Sequence, residues 1–458
     1  MSNRKTDSLT PVQPQVPIQA PLRVLILFSL GQFGWSLASF AVGNLLVYFY
    51  LPPEQGQPIF PSYLYQGAVL GVFTLIGILS AGGRVLDGIV DPLVANWSDR
   101  KNAGVGKRRW FMLRGAVPFA LFGALVFFPA SAAENASNFL WLALIIALYY
   151  FFFALYVIPY NALMAELGHT AEERLKISTL VSVAWALGFV VGNSAYALQG
   201  VFETDGRTAT EAFQLVILIL QAIAMVFMLL PALFLNEKRY ARQSKSELGI
   251  RDALKAVFKN RAFRWFLFSF LLYWLSLTFI QLGIGFYTTL LFGLDKSMAF
   301  TFSLLSFVCS FLLYWPVNAL TKKLGKRLMM QAAYGLFACI FLVTAFVPEL
   351  PFPKAGILYA LGVAAAAPLA VFGILPNAIV GDEAEQAHLQ SGSQHTAMYF
   401  GLTAFTMKIG ISFANLIFPS LLLLGKSTEN PLGVRATALA AMAFCLAGWW
   451  AFGKYVRK

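Results

Sequence analysis

Two carboxylates four residues apart, Asp87 and Asp91, stand in a stretch that otherwise reads as membrane-buried. The motif is R-V-L-D-G-I-V-D-P over 84–92, inside a Leu- and Gly-rich run from Leu64 to Trp97. In a helix that spacing puts both acids on one face, one turn apart. Charge in hydrocarbon costs roughly 3 kcal/mol or more per group, so it persists where it pairs, faces a water-filled cavity or binds an ion. Two acids on one buried face therefore point to cation or proton handling. Lys408 supplies the opposite charge. It lies in T-A-F-T-M-K-I-G-I-S-F-A-N, about fifteen residues from either end of its apolar run, too deep to snorkel to the interface. Asp87 and Asp91 are the acids at comparable depth, which predicts an ion pair between the second and eleventh apolar spans. Arg84, one turn before Asp87, is either a further partner in that site or a structural salt bridge.

Other polar residues in apolar spans mark faces turned toward a bundle interior. Gln32, Ser36, Asn44 and Tyr48 recur on a four-residue period, broken only by Phe40, and predict a wet face on the first span. The fourth span offers Tyr156, Tyr160 and Asn161 around Pro159, which bends a helix by removing a backbone donor. The fifth has Trp185 and Asn193, the tenth Asn377 beside Pro376. Tyr273, Trp274, Gln281 and Tyr287 in the seventh read equally as core or interface aromatics. The expected solute-contacting set is Gln32, Trp35, Ser36, Asn44, Tyr156, Tyr160, Asn161, Trp185 and Thr403.

The elements that must position these residues are membrane helices. The chain of 458 residues is 59% apolar and 12% charged, with Phe contributing 43 positions, about half the charged fraction of a soluble domain. Apolar runs long enough to cross a bilayer number twelve: 22–51, 64–97, 110–132, 137–168, 174–201, 211–235, 261–292, 297–321, 326–347, 354–381, 393–425 and 432–454. The net charge of +13 sits in short loops, which argues against nucleic acid as a partner. Basic residues crowd alternate loops, including Arg100, Lys101, Lys107, Arg108 and Arg109, then a central stretch, then Lys322, Lys323, Lys326 and Arg327. This alternation predicts a multi-pass plasma-membrane (inner-membrane) protein with both termini cytoplasmic. The three cysteines read as buried hydrophobes, and the three histidines, His169, His388 and His395, lie near predicted loops with no metal pair or nucleophile motif, so an enzyme is not expected. Residues 1–21 read as a disordered cytoplasmic tail, 22–236 as one six-helix bundle, 237–260 as a basic cytoplasmic linker and 261–458 as a second six-helix bundle. The loop S-D-R-K-N-A-G-V-G-K-R-R-W recurs six spans later as T-K-K-L-G-K-R-L-M, which resembles the internal duplication of the major facilitator fold.

Three further stretches sharpen the resemblance: Y-V-I-P-Y-N-A-L-M-A-E-L at 156–167 followed by A-E-E-R-L, G-D-E-A-E at 381–385, and M-Y-F-G-L at 398–402 leading to M-K-I-G. With the 84–92 motif and the following G-K-R-R-W, they resemble the glycoside–pentoside–hexuronide:cation symporters, the melibiose-permease-like branch of the major facilitator superfamily. The resemblance runs from about Leu22 to Trp450. It implies a cation site at Asp87 and Asp91, holding Na⁺ if coupling is to sodium, with Lys408 near both cation and solute. It also implies departures. Ser36 and Val157 fall where that family carries sugar-binding acids, Asn161 replaces a stacking Trp, and no Arg occurs between Ser178 and Asn193. Val90 and Ala154 stand where an Asn and a Thr complete the sodium shell.

The combined expectation is a monomeric, cofactor-free secondary transporter in the lipid bilayer. It would couple a small organic solute, of sugar or glycoside type, to Na⁺ or H⁺ by alternating access. A lysolipid or other amphiphile carrier on the same fold, and a non-transporting sensor, are the alternatives. Glu166, Glu172, Glu173 and Arg174, and likewise Asp382, Glu383 and Glu385, read as either a cytoplasmic gate or structural salt bridges.

Overall fold

The structure is a computed structural model that describes residues 18–100, 106–241, 260–391 and 396–455. Most of the tail 1–21 and of the linker 237–260 lies outside the described residues, as does His395. Among the described residues the chain is helical but for a two-residue-per-strand ribbon, Glu54–Gln55 with Gln57–Pro58, and short connections. Twelve long helices follow in order. They are α1 (Leu22–Tyr50), α2 (Leu75–Arg100), α3 (Lys107–Leu125), α4 (Ala136–Leu167), α5 (Ala171–Thr204) and α6 (Ala209–Phe234). Then come α7 (Arg261–Leu291), α8 (298–324), α9 (326–346), α10 (Lys354–Ser391), α11 (Thr396–Leu421) and α12 (Leu432–Gly453). The helix from Met298 to Phe346 is two elements because Gly325, at φ 82° and ψ 154°, breaks it where only glycine sits without strain.

By length and apolarity alone nine helices of the described residues qualify as spans. The shortfall from twelve has two sources. α2 and α3 carry charges, and α8 and α9 run together. The second apolar run begins later than its composition predicts, at Leu75 instead of Leu64. Leu70 and Gly71 both take positive φ, 54° and 79°, and Val69 pairs with Phe73 in a tight turn. Thr74 then caps the helix, its hydroxyl accepting from the Gly77 amide at 3.1 Å. The third run ends earlier, at Leu125 instead of 132.

The helices α1 to α6 pack on one another, and α7 to α12 likewise. Two main seams join the groups, α2 against α11 and α5 against α8, with a smaller contact of α1 on α7. Packing in lipid relies on close contact between helices. Gly34 of α1 lies so near α6 that a Cβ would stand 2.7 Å from the Ala224 carbonyl, and Gly188 of α5 lies as close to Ser36. Both α1 and α7 contain a π-turn, Ala41–Leu45 and Tyr287–Leu291. Both turns lie toward the same end of their helices, as an internal duplication requires. Beyond the first one, Tyr48, Phe49 and Tyr50 are buried in an aromatic cluster with Phe60, Tyr63, Phe213 and Phe286.

The twelve spans put both described ends, Ile18 and Tyr455, on one face, here the terminal face. On the opposite, far face the two groups of helices are laced together. Lys426 pairs with Glu54, and the Lys296 ammonium lies 2.6 Å from Glu203. The Glu54 amide donates to the Lys426 carbonyl at 2.9 Å, and the Thr428 amide to the Glu54 carbonyl at 3.0 Å. Gln55 donates to the carbonyl of Thr289 inside the second π-turn at 3.4 Å. On the terminal face ion pairs such as Arg108–Glu166 and Lys326–Asp382 lie within one group or the other.

Candidate functional site

The α2–α11 seam runs antiparallel and is tightest toward the far face. A Cβ on Gly77 would stand 3.0 Å from Pro419, and the Ser412 hydroxyl donates to the Ala81 carbonyl at 3.2 Å. This fastening sets the register that delivers Lys408, one turn before Ser412, to the acids of α2. Its ammonium lies 2.9 Å from Asp87 and also pairs with Asp91. The Arg84 guanidinium approaches Asp87 at 3.9 Å on the other side. Two negative and two positive groups thus share one site and sum to zero charge.

Burial within the site is graded. The Asp87 side chain is 0% exposed, while Asp91, one turn nearer the terminal face, is 20% exposed and Lys408 19%. Pro92 deprives the Gly88 carbonyl of its helical donor beside these carboxylates. Arg84 has its own support. Its guanidinium stands 5.4 Å from the Tyr150 ring centre, and a Cβ on Gly83 would meet Tyr150 at 2.4 Å. Its Nη2 also lies 3.5 Å from where a Gly43 Cβ would be, against the π-turn of α1. Tyr150 was not legible as a site residue, because an aromatic in an apolar run carries no signal of its own.

On the adjoining face of α2, Val90 packs with Val94, Phe111, Ala154 and Leu155 in a small apolar cluster. Val90 and Ala154 therefore present no oxygen to an ion at the carboxylates. Among the described residues no group of three metal-ligating side chains occurs.

The other polar residues divide by what they touch. Ser36 donates to the Trp185 carbonyl at 2.8 Å, Tyr156 to Met228 at 2.9 Å and Tyr160 to Phe28 at 2.9 Å. Asn44 and Thr403 donate to carbonyls one turn back in their own helices, Phe40 and Tyr399. Tyr48 meets Gln199 at 3.5 Å. The regular polar stripe of α1 is thus buried and committed to helix packing, where a wet face had been expected. Backbone carbonyls in a bundle attract hydroxyl donors as readily as a solute would. Gln32 is buried and accepts from the Trp35 indole at 3.1 Å. Trp35 and Trp185 are half-buried and Asn161 is exposed. Trp185 stacks on Phe189 at 5.4 Å and meets Phe307 of α8 edge-on, so the α5–α8 seam is aromatic where the α2–α11 seam is charged.

The terminal-face acids serve structure. Arg108 bonds Glu166 at 2.8 Å and Asp99 at 2.6 Å, and Glu237 accepts from the amides of Arg108 and Arg109 at the start of α3. Glu173 closes a capping box with Thr170, Glu172 pairs with Lys176, and Arg174 donates to the Gly168 carbonyl. In the second half Lys326 holds Asp382 at 2.5 Å, while Glu383 accepts from Asn260 and Tyr455.

A bilayer-spanning pair of helical bundles with balanced charges sunk in the seam between them is the architecture of a membrane transporter of the major facilitator type. The sequence profile of the MFS/sugar transport protein family matches residues 27–449, and the chain belongs to that family. This membership places it among transporters and not among enzymes. Two curated relatives are the isoprimeverose transporter of Lactiplantibacillus pentosus and the inner membrane symporter YicJ of Escherichia coli (strain K12). The first is 25% identical over 55% of this chain and 49% of its own length, and the second 22% identical over 76% and 74%. The chain thus spans about half the length of the former. The crystal structure of the nucleoside transporter NupG superposes with a TM-score of 0.67 at 14% identity, covering 95% of this chain and 99% of that one. This last likeness concerns the fold.

Proposed function

We propose that this protein is a secondary transporter that moves a small sugar-type solute in symport with a cation by alternating access. The observation that carries the reading is the zero-sum cluster of Arg84, Asp87, Asp91 and Lys408 between two bundles that are laced together at the far face. Neutralising either carboxylate leaves the cluster of Arg84, Lys408 and one remaining acid with a net positive charge at membrane depth. An unpaired buried charge is costly, so cation binding biases the two-bundle equilibrium. The relatives, an isoprimeverose transporter and a symporter, support the solute class and the coupling.

Between Na⁺ and H⁺, the geometry favours the proton. The ammonium of Lys408 already lies against both acids, and Val90 and Ala154 supply no further ligand oxygen. Na⁺ takes several oxygens, as hard cations do, whereas a proton needs one carboxylate. In this reading Trp35, Trp185 and Asn161 contact the solute, while Gln32, Ser36, Asn44, Tyr156, Tyr160 and Thr403 hold the helices around it. Both chain ends face the cytoplasm, and the far-face ion pairs hold the two bundles together on the outer side.

Proteoliposomes test this directly. An inside-alkaline pH jump should drive accumulation of a pentose- or hexose-containing glycoside without Na⁺, and Asp87→Asn and Asp91→Asn should abolish accumulation. Full coupled accumulation by both variants would refute the coupling site. Accumulation that follows a Na⁺ gradient at clamped pH would refute the proton.

A further inference from the structure

The ends of α2 and α3 on the terminal face carry a cluster that transport does not use. We propose that Arg100, Lys107 and Arg114, set around Trp97 and Trp110, bind the phosphate headgroup of an anionic phospholipid. Lys107, Trp110, Arg114, Val117 and Leu121 follow one another at helical spacing along a single face of α3. Val117 is 43% and Leu121 52% exposed, while the rest of α3 packs on α4 and α6, so this face meets the bilayer.

Arg114 is an exposed charge seven residues inside α3, about 10 Å below the level of Lys107. Helical side chains lean toward the N-terminus, and this one climbs until its guanidinium lies 3.8 Å over the Trp110 ring. Among the described residues it also donates to the Trp110 carbonyl, at 3.5 Å. Trp97 of α2, 46% exposed, meets Trp110 edge-on at 6.2 Å. Paired tryptophans at a helix end mark the headgroup layer. The ring covers one face of this exposed guanidinium, a group whose planar N–H fork can take a phosphate bidentately.

Nearby carboxylates are committed elsewhere. Arg108 holds Asp99 and Glu166, and Glu237 caps α3. Among the described residues Arg100, Lys107 and Arg114 form no ion pair. Three cations at the hydrocarbon boundary, interleaved with two indoles and forming no ion pair among the described residues, are matched by an anionic lipid, to which each basic side chain adds attraction.

The test is native mass spectrometry of the purified full-length protein with phosphatidylglycerol or phosphatidylcholine of identical acyl chains. We expect phosphatidylglycerol to be retained at least about tenfold more strongly. Arg114→Gln should bring the preference below about threefold, while Lys322→Gln/Lys323→Gln, at the end of α8, should leave it unchanged. If Arg114→Gln does not fold, Arg100→Gln/Lys107→Gln reads the same site. Equal retention of the two lipids, or an undiminished preference in the folded site variant, overturns the proposal. Millimolar inorganic phosphate should not displace the lipid; full displacement would assign the site to free anions instead.

Discussion

Replacing Lys408 by alanine tests the charge balance at its centre. In the native site Lys408 touches both Asp87 and Asp91, while Arg84 stands 3.9 Å from Asp87 alone. Its removal takes the cluster from zero to one net negative charge around a carboxylate that is 0% exposed. Breaking a buried ion pair by deleting one partner costs about 3–5 kcal/mol. The variant should therefore lose that much stability in denaturant titrations in mixed micelles, extrapolated linearly to zero denaturant. Adding Asp91→Asn should return the cluster to zero, with Arg84 and Asp87 remaining, and recover at least half of the loss. Both variants should fail to accumulate solute against a gradient, because the neutralisation step no longer releases an ammonium. Solute counterflow should survive better in the double variant than in the single one. A double variant less stable than Lys408→Ala would refute the balance argument, and a single variant with wild-type stability would refute the pair.

Other outcomes follow from the same geometry. Glu54→Gln unties an ion pair whose acid is 41% exposed. It should weaken the far-face closure by about 0.5–1 kcal/mol, a two- to fivefold rise in modification of a cysteine introduced behind that contact. Gly83→Leu puts a side chain into Tyr150 and Ile146, at 2.4 and 2.6 Å, and should cost at least about 1–3 kcal/mol, seen as a lower melting temperature. Glu237→Ala removes the acceptor for the Arg108 and Arg109 amides, at 3.0 and 2.9 Å. It should destabilise by about 0.5–2 kcal/mol on the same assay, with the coupling site unaffected.

Much of this protein is legible without coordinates because a bilayer imposes one-dimensional rules. A helix crossing hydrocarbon needs about 20 apolar residues, and a charge inside it needs a partner. Hence the twelve helices, and hence the meeting of Lys408 with Asp87 and with Asp91, the latter 317 residues away in the chain. Where glycine chemistry competed with apolarity, as at Leu70 and Gly71, length alone misjudged the start of α2. The far-face pairs Glu54–Lys426 and Glu203–Lys296 had a faint signal, acids in the outer loops of the first half and lysines in those of the second.

What only the tertiary structure decided is which polar groups remain uncommitted. Gln32, Ser36, Asn44 and Tyr48 have the period of a cavity-lining stripe, yet they are buried and bonded to neighbouring helices or their own turn. Helical periodicity gives the direction of a side chain around its own axis and says nothing of what stands opposite. A hydroxyl facing another helix's carbonyl and one facing a solute have the same sequence signature. Charge in hydrocarbon has few affordable partners and therefore announces its contacts, whereas a hydroxyl or amide has many, and only packing selects among them.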